Sequence, residues 1–450
     1  MSAPVPGFRK PQWLQFIQWV LDPISYMRAG KKIHEDIFAA DISGFSGDPI
    51  FFVQDPTMLQ YIFTHDRKEL TAPGDGIAVL RPLIGSHSVV MLEGDKHRKR
   101  HQLLMPPFHG DRLGVYGRLI AKLTEEEIRQ YPQNKPFKAH RLTQQLSLQV
   151  IMQAVFGLED GPLYQRTREL LTYVFDFFNS PINSTYLYFD FLRRNIGPWK
   201  TFLKARNELD KILYAEIASR QANPSPEKED ILSLLMAAKD ESGEGLTPQE
   251  LRDELITVIL AGLETTSTVM AWTLYWILGN NDIRKNVLDE LATLGEHPSP
   301  EAIARLPFLT AVVQETMRIH PPVVFTFARM ASEDLDLHGW KIPKYSRVAG
   351  CIYLLHYRED LYPEPETFRP ERFLERKFSA YEFMPFGAGA RRCVGSALAQ
   401  FEIKVAVATL LMHHELERAD NRPEKPQRRG VILTPERGVP IIWKGPKNAI

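Results

Sequence analysis

The stretch Phe386-Gly387-Ala388-Gly389-Ala390-Arg391-Arg392-Cys393-Val394-Gly395 decides how this chain is read. It sets one cysteine among glycines, with two arginines just before it. A thiolate is a strong donor to iron, and a haem iron held by cysteine favours O–O bond cleavage. Gly387, Gly389 and Gly395 have no side chain to keep a flat macrocycle away from the backbone. Amide groups of such a turn can point at the sulfur and stabilise its charge. Arg391 could pair with a carboxylate on the ligand. Taken alone, the loop reads equally well as a glycine-rich surface turn with a chance cysteine. It lacks the lysine and Ser/Thr of a Walker A phosphate loop.

Outward from the loop, Ser396 to His413 reads as a helix. Upstream, Leu146 to Phe156, Trp199 to Arg220 and Leu251 to Leu278 are the clearest helical runs. The last is apolar on most sides, as a helix through a large core would be. Thr247-Pro248-Gln249-Glu250 starts it with an N-cap threonine, a proline at the first helical position and a glutamate at the third. Phe38 to Val53 suggests a small antiparallel sheet with turns at Gly44 and Gly47-Asp48, and Val323 to Cys351 breaks into short strands. The expected fold is mainly α: one large helical domain over residues 1–450, with a small β subdomain from about 38–70 and 323–355.

Bulk properties narrow the function classes. The 450 residues are 44% hydrophobic and 24% charged, with 55 basic and 55 acidic side chains. Zero net charge gives no reason to propose nucleic acid as a partner. Two cysteines, Cys351 and Cys393, make no disulfide framework, and Cys351 in an apolar run reads as a buried small hydrophobe. No cleavable leader or transmembrane anchor is expected, and the protein reads as soluble and cytoplasmic. Trp13, Phe16, Ile17 and Val20 recur at helical spacing. Packing onto the body of the protein is their favoured use, with contact to a membrane surface as the alternative.

Inside the long apolar helix lies Ala261-Gly262-Leu263-Glu264-Thr265-Thr266. Glycine there costs about 1 kcal/mol relative to alanine, and a polar triplet must be satisfied. Thr265 can bond back to a carbonyl one turn earlier and loosen the helix. An acid and an alcohol facing a cavity suit proton delivery to dioxygen. The plain alternative is a glycine that makes room for a neighbouring helix. Glu315 and Arg318 share a helical face at a spacing of three, ahead of His320-Pro321-Pro322. Completed by Arg372, a buried pair of this kind would be a structural lock.

These four features, in this order and at these separations, resemble the cytochrome P450 family, in particular soluble bacterial members related to its fatty-acid-hydroxylating branch. The cysteine signature is matched by Phe386, Gly389, Cys393 and Gly395, with Arg391 in the basic position. The oxygen-activation motif is matched by Ala261, Gly262, Glu264, Thr265 and Thr266. The Glu-x-x-Arg motif is matched by Glu315 and Arg318, and its arginine partner by Arg372.

The resemblance implies a haem b cofactor with Cys393 as the metal ligand. Phe386 would lie near the sulfur, and Gly387 belongs to the same loop. Arg391 and Arg329 would pair with haem propionates. His97 and His101 occupy positions where the family binds propionates, although an arginine is usual at the second, and Arg98 could also reach one. Gly262 would leave space for oxygen, and Glu264 and Thr265 would relay protons. Substrate would meet the loop from about Thr71 to Leu92, the region around Phe175 to Tyr188, Leu260 and Ala261, the residues Val323, Val324, Phe325 and Phe327, and Leu433. The aromatic run is more often core than channel, and Arg193 and Arg194 carry no assignment. The expected activity is insertion of one atom of dioxygen into a hydrophobic substrate such as a fatty acid or terpenoid. Electrons would come from a separate ferredoxin or flavodoxin with its reductase, and Lys96, Lys99 and Arg100 read equally as a docking patch or a solvated face. A monomer is expected. A peroxide-driven enzyme of the same fold and a non-catalytic haem sensor are the alternatives.

Overall fold

The computed structural model describes the chain except residues 1, 43–47, 67, 111, 158–160, 180–182, 184, 187, 188, 190, 191, 195, 224–229, 241, 242 and 448–450. The expected turn residues Gly44 and Gly47, and Leu187 and Tyr188 of the aromatic run, lie outside the described residues. Two compact units emerge, each assembled from separated parts of the chain.

The first unit gathers Met1–Gly76, Pro307–Cys393 and Lys425–Glu436. A five-stranded sheet runs in the order Ile37–Ala40, Ile50–Val53, Arg347–Gly350, Arg329–Ala331, Leu70–Thr71. The first two strands pair antiparallel, with Phe38 opposite Phe52, and Phe52 faces Ala349 across a parallel pairing. Side chains alternate between two apolar clusters, as the two-residue period of a strand requires. Ile37, Phe51, Val53 and Val348 enter one with Leu59, Ile62 and Phe63. Phe38, Phe52 and Ala349 enter the other with Trp19, Met27 and Tyr353. Both faces are therefore covered, which explains why these strands read as nearly continuous apolar runs. Cys351 is buried in the second cluster, and burial pushes its thiol up to about 12.

The second unit gathers Ile77–Leu306, Val394–Glu424 and Arg437–Ile450. Its axis is the helix Pro248–Gly279, begun by a capping box in which Thr247 and Glu250 satisfy each other's orphan groups. The helix Ala139–Phe156 packs along it, and the Thr143 hydroxyl donates to the Ser267 carbonyl at 2.9 Å. The helix Ser396–His413 lies against both this axis and Arg112–Ile128. The axial helix is long and apolar enough to cross a membrane, but most of its side chains are buried inside the protein.

Phe175, Phe177 and Phe178 of the aromatic run pack into core. Phe177 and Phe178 are buried and pack against Phe202 at centroid distances of 4.9 and 5.2 Å, the second edge-to-face, beside Trp199 and Tyr186. Their apolar content reflects packing, while Tyr173 of the same run is exposed.

Candidate active site

In the first unit the cysteine loop is closed by its own backbone. The Cys393 amide donates to the Phe386 carbonyl at 3.0 Å, and the Gly387 amide to the Met384 carbonyl at 3.0 Å. Gly387 and Gly389 both sit at φ +67°, a left-handed conformation that side chains resist. The Cys393 side chain is exposed. A Cβ built on Gly387 or on Gly395 would meet nothing within 4 Å. The loop thus presents a thiol next to bare backbone with open space over it.

Two buried arginines in the same unit flank the loop. Arg391 donates to the Ala72 carbonyl at 2.6 Å and lies 5.9 Å over the Phe327 ring. Arg329 is tied to the Asp66 carboxylate at 2.9 Å, and its other Nη donates to the Phe327 carbonyl at 2.7 Å. The same Asp66 oxygen accepts the Ala390 amide at 3.0 Å. Burial pushes the Arg329 guanidinium below its ordinary value, and Asp66 opposes the shift. Its Nε is buried with no hydrogen-bond partner. An orphaned cationic donor, an exposed thiol and an open glycine cradle fit a flat anionic macrocycle such as haem. Asp66 had no signal in the sequence. It follows an apolar helix, more than three hundred residues from the loop it holds.

The Glu-x-x-Arg residues form a closed buried network. Arg318 forks onto Glu315 at 2.7 and 2.8 Å, and Arg372 Nε reaches the same carboxylate at 3.1 Å. The Arg369 amide adds a bond at 2.9 Å, and Arg318 also donates to the His356 carbonyl at 2.8 Å. These bonds tie buried chain segments to one another, which is the geometry of a brace.

The expected substrate residues divide. Val324 and Leu433 belong to the apolar cluster of Trp19 and Phe52, and the Phe325 ring packs 5.7 Å from Trp19. Leu433 comes from the strand Ile432–Pro435, whose Leu433 amide donates to the Pro322 carbonyl at 2.9 Å just ahead of Val323 and Val324. Val323 is exposed and Phe327 is half-buried beside Arg391.

In the second unit the Thr265 hydroxyl donates to the Ala261 carbonyl at 2.6 Å. Glu264 accepts a hydrogen bond from Gln144 Nε2 and lies 4.0 Å from His140 Nε2, and that ring nitrogen is also 3.3 Å from the Thr268 hydroxyl. Gln144 and His140 both come from the helix Ala139–Phe156, and sequence reasoning missed them. Polar positions facing a Glu-Thr motif are not marked by any local pattern. A Cβ on Gly262 would meet Ile151 Cδ1 at 2.6 Å. In that direction the room this glycine makes is taken by Ile151 of the neighbouring helix, as the plain alternative for this position expects.

The helix Gly94–Leu104 carries His97, buried, and His101, half-buried, with ring centroids 5.6 Å apart. Arg98 turns to Asp95 at 3.3 Å. Arg100 is buried: it pairs with Glu254 at 2.7 Å and with Glu250, and donates to the His87 carbonyl at 2.9 Å. Burial pushes the Glu254 carboxyl up to about 7, with Arg100 opposing. Lys99 is half-buried near Asp240, and of the three expected patch residues Lys96 alone is exposed. The docking patch is corrected accordingly. A helix face cannot be read as solvated when an unseen acid from another helix covers it.

Comparison with known proteins agrees with this assembly. The family model for cytochrome P450 matches residues 6–442. The chain is 33% identical to putative cytochrome P450 137 of Mycobacterium tuberculosis, over 88% of this chain and 80% of that one. It is 29% identical to putative cytochrome P450 135B1 of Mycobacterium bovis, over 97% and 90%. Its fold superposes on cyanobacterial CYP120A1 with retinoic acid bound at a TM-score of 0.83, with 23% identity over 98% of this chain and 99% of that one.

Proposed function

The chain belongs to the cytochrome P450 family and is a haem-thiolate monooxygenase, and from that premise we propose which residues carry the chemistry and on what. The observation that carries the assignment is Cys393, an exposed thiol on a glycine loop pinned by the Phe386 carbonyl. Cys393 would be the iron ligand. Arg391 and Arg329 would hold propionates of haem b, and the Arg329 Nε is a buried donor without a partner. His97 and His101 would also bind propionates. Gly387 and Gly395 would let a flat macrocycle approach the backbone.

When bound, haem supplies activation of dioxygen: one atom enters a C–H or C=C bond, and the other leaves as water with two electrons and two protons. The chain's residues handle the protons. The Thr265 hydroxyl donates its hydrogen bond to the Ala261 carbonyl, which leaves its oxygen lone pairs free to accept. Glu264 is the adjacent acid, held by Gln144. The backbone bond of Thr265 and the anchoring of Glu264 fix both groups before reaction, which lowers the cost of ordering them. Glu315, Arg318 and Arg372 brace the fold without entering the reaction.

The substrate is a hydrophobic small molecule of the fatty-acid or terpenoid class, met by Val323 and Phe327. Electrons come from a ferredoxin or flavodoxin with its reductase. The test is the absorption spectrum of the reduced, carbon-monoxide-bound protein for wild type and Cys393→Ser. A red-shifted Soret band that disappears in the variant supports the reading. A histidine-type band in both overturns it. Fatty acids and terpenes scored by the haem spin-state shift then identify the substrate class, and turnover with peroxide alone tests the peroxide-driven alternative.

A further inference from the structure

The helix Gln12–Leu21 carries apolar residues on its open face as well as its packed one. Its buried residues are Gln15 and Trp19, while Trp13, Ile17 and Leu21 are 50, 41 and 77% exposed. Their spacing of four sets them on one stripe, opposite the buried pair at about 100° per residue. The inward glutamine is satisfied. It accepts from Tyr26 Oη at 2.8 Å and donates to the Lys10 carbonyl at 2.9 Å and to Asp41 at 3.1 Å. Of the residues expected to pack onto the body, Val20 packs against the cluster of Trp19 and Phe16 is half-buried, while Trp13 and Ile17 face outward. Gln15 and Trp19 anchor the helix, and the stripe Trp13, Ile17 and Leu21 lies on its open face.

Cations border the stripe. Arg9 and Lys10 are exposed at its start, and Lys10 lies along the helix to donate to Gln18 at 3.3 Å. The hairpin Pro426–Arg429 and Ile432–Pro435 abuts the same helix. Arg428 donates to the Trp19 carbonyl at 2.8 Å and lies 5.1 Å over the Trp19 ring. Its turn exposes Val431 beside half-buried Arg429. The acid at the far end, Asp22, has its carboxylate turned to the Ser25 amide to cap the next helix.

We propose that this stripe, Trp13, Ile17 and Leu21 with Arg9 and Lys10, is a docking surface for an anionic phospholipid bilayer. Area argues against a protein partner. A ten-residue helix is about 15 Å long, so one face of it offers on the order of 150 Å². A stable protein interface needs about 800 Å² per partner. A bilayer needs no matching surface: an apolar stripe enters the headgroup boundary while the cations meet anionic headgroups. Tryptophan at the end nearest the cations suits the depth at which indole rings settle.

The test is sedimentation of the haem-loaded protein with vesicles of phosphatidylcholine alone or mixed with phosphatidylglycerol. Wild type should bind the mixed vesicles, and added salt should weaken that binding. Trp13→Gln/Ile17→Gln/Leu21→Gln should reduce binding at least about tenfold, with its carbon-monoxide band intact. Arg9→Ser/Lys10→Ser should reduce binding to mixed vesicles only. If the triple variant fails to fold, Trp13→Ser alone carries the test. Absence of binding, or binding unaltered by these changes, overturns the proposal. So does a dimer seen by size exclusion that the triple variant abolishes, because the stripe would then belong to a second copy of this chain.

Discussion

Asp66 holds Arg329 at 2.9 Å and, through the same oxygen, the Ala390 amide of the cysteine loop at 3.0 Å. One carboxylate thus neutralises a buried cation and fixes the loop that presents Cys393. Removing one partner of a buried pair strands the other. Asp66→Ala should cost about 3–5 kcal/mol and hasten haem loss. Urea unfolding, together with haem transfer to an acceptor protein, checks both. A variant as stable as wild type would mean that Arg329 finds another partner.

The buried Glu315 carboxylate accepts from Arg318, Arg372 and the Arg369 amide. Glu315→Gln should lose about 3–5 kcal/mol. Arg318→Lys should do little better, because an ammonium cannot make the two-pronged bond. The midpoint of denaturant unfolding should fall at constant slope.

Gly262→Ala tests what the glycine makes room for. The new methyl would crowd Ile151 Cδ1, costing about 1–2 kcal/mol, while alanine favours the helix by about 1 kcal/mol. The change should be neutral to mildly destabilising in wild type. In an Ile151→Val background, which lacks that methyl, it should become stabilising by about 0.5–1 kcal/mol. Equal effects in both backgrounds would separate Gly262 from Ile151.

Glu402 is fully buried with the Ser147 hydroxyl at 2.7 Å, and burial raises its carboxyl from 4.5 to about 8. The folded protein therefore keeps a proton that the unfolded chain releases above 4.5. This contribution to stability is present in full below 4.5 and is lost as pH rises toward about 8, by about 1.4 kcal/mol per pH unit. Glu402→Gln cannot ionise and should show a flatter dependence across that window. Unfolding free energies at several pH values, compared between the two proteins, measure the difference. Parallel curves would mean that Glu402 does not titrate there.

Much of the architecture was legible in local pattern. The helix Ser396–His413 was readable to the residue because a glycine opens it and its apolar run ends at a histidine. The long axial helix was readable because its cap, proline and capping glutamate are contiguous. Cys393, Glu264, Thr265, Glu315 and Arg318 stand out in the sequence for the same reason: each lies in a motif whose spacing is itself the signal. The first strand pair was found, but its parallel pairing to Arg347–Gly350 was not, since that register depends on residues some three hundred positions apart.

What the sequence determined, then, is everything that a short window of chain can encode: helical period, caps, the left-handed glycines and the identity of the thiol. Tertiary structure alone decided the direction in which side chains are used. It buried Arg100 against Glu254, drew Val324, Phe325 and Leu433 into or against an apolar cluster, filled the space at Gly262 with Ile151, brought Asp66 to Arg329, and turned Trp13, Ile17 and Leu21 outward. The physical reason is common to all of these. Burial and charge pairing depend on which distant segment arrives at a face, and an amphipathic pattern states that a helix has two faces without stating which one will be covered.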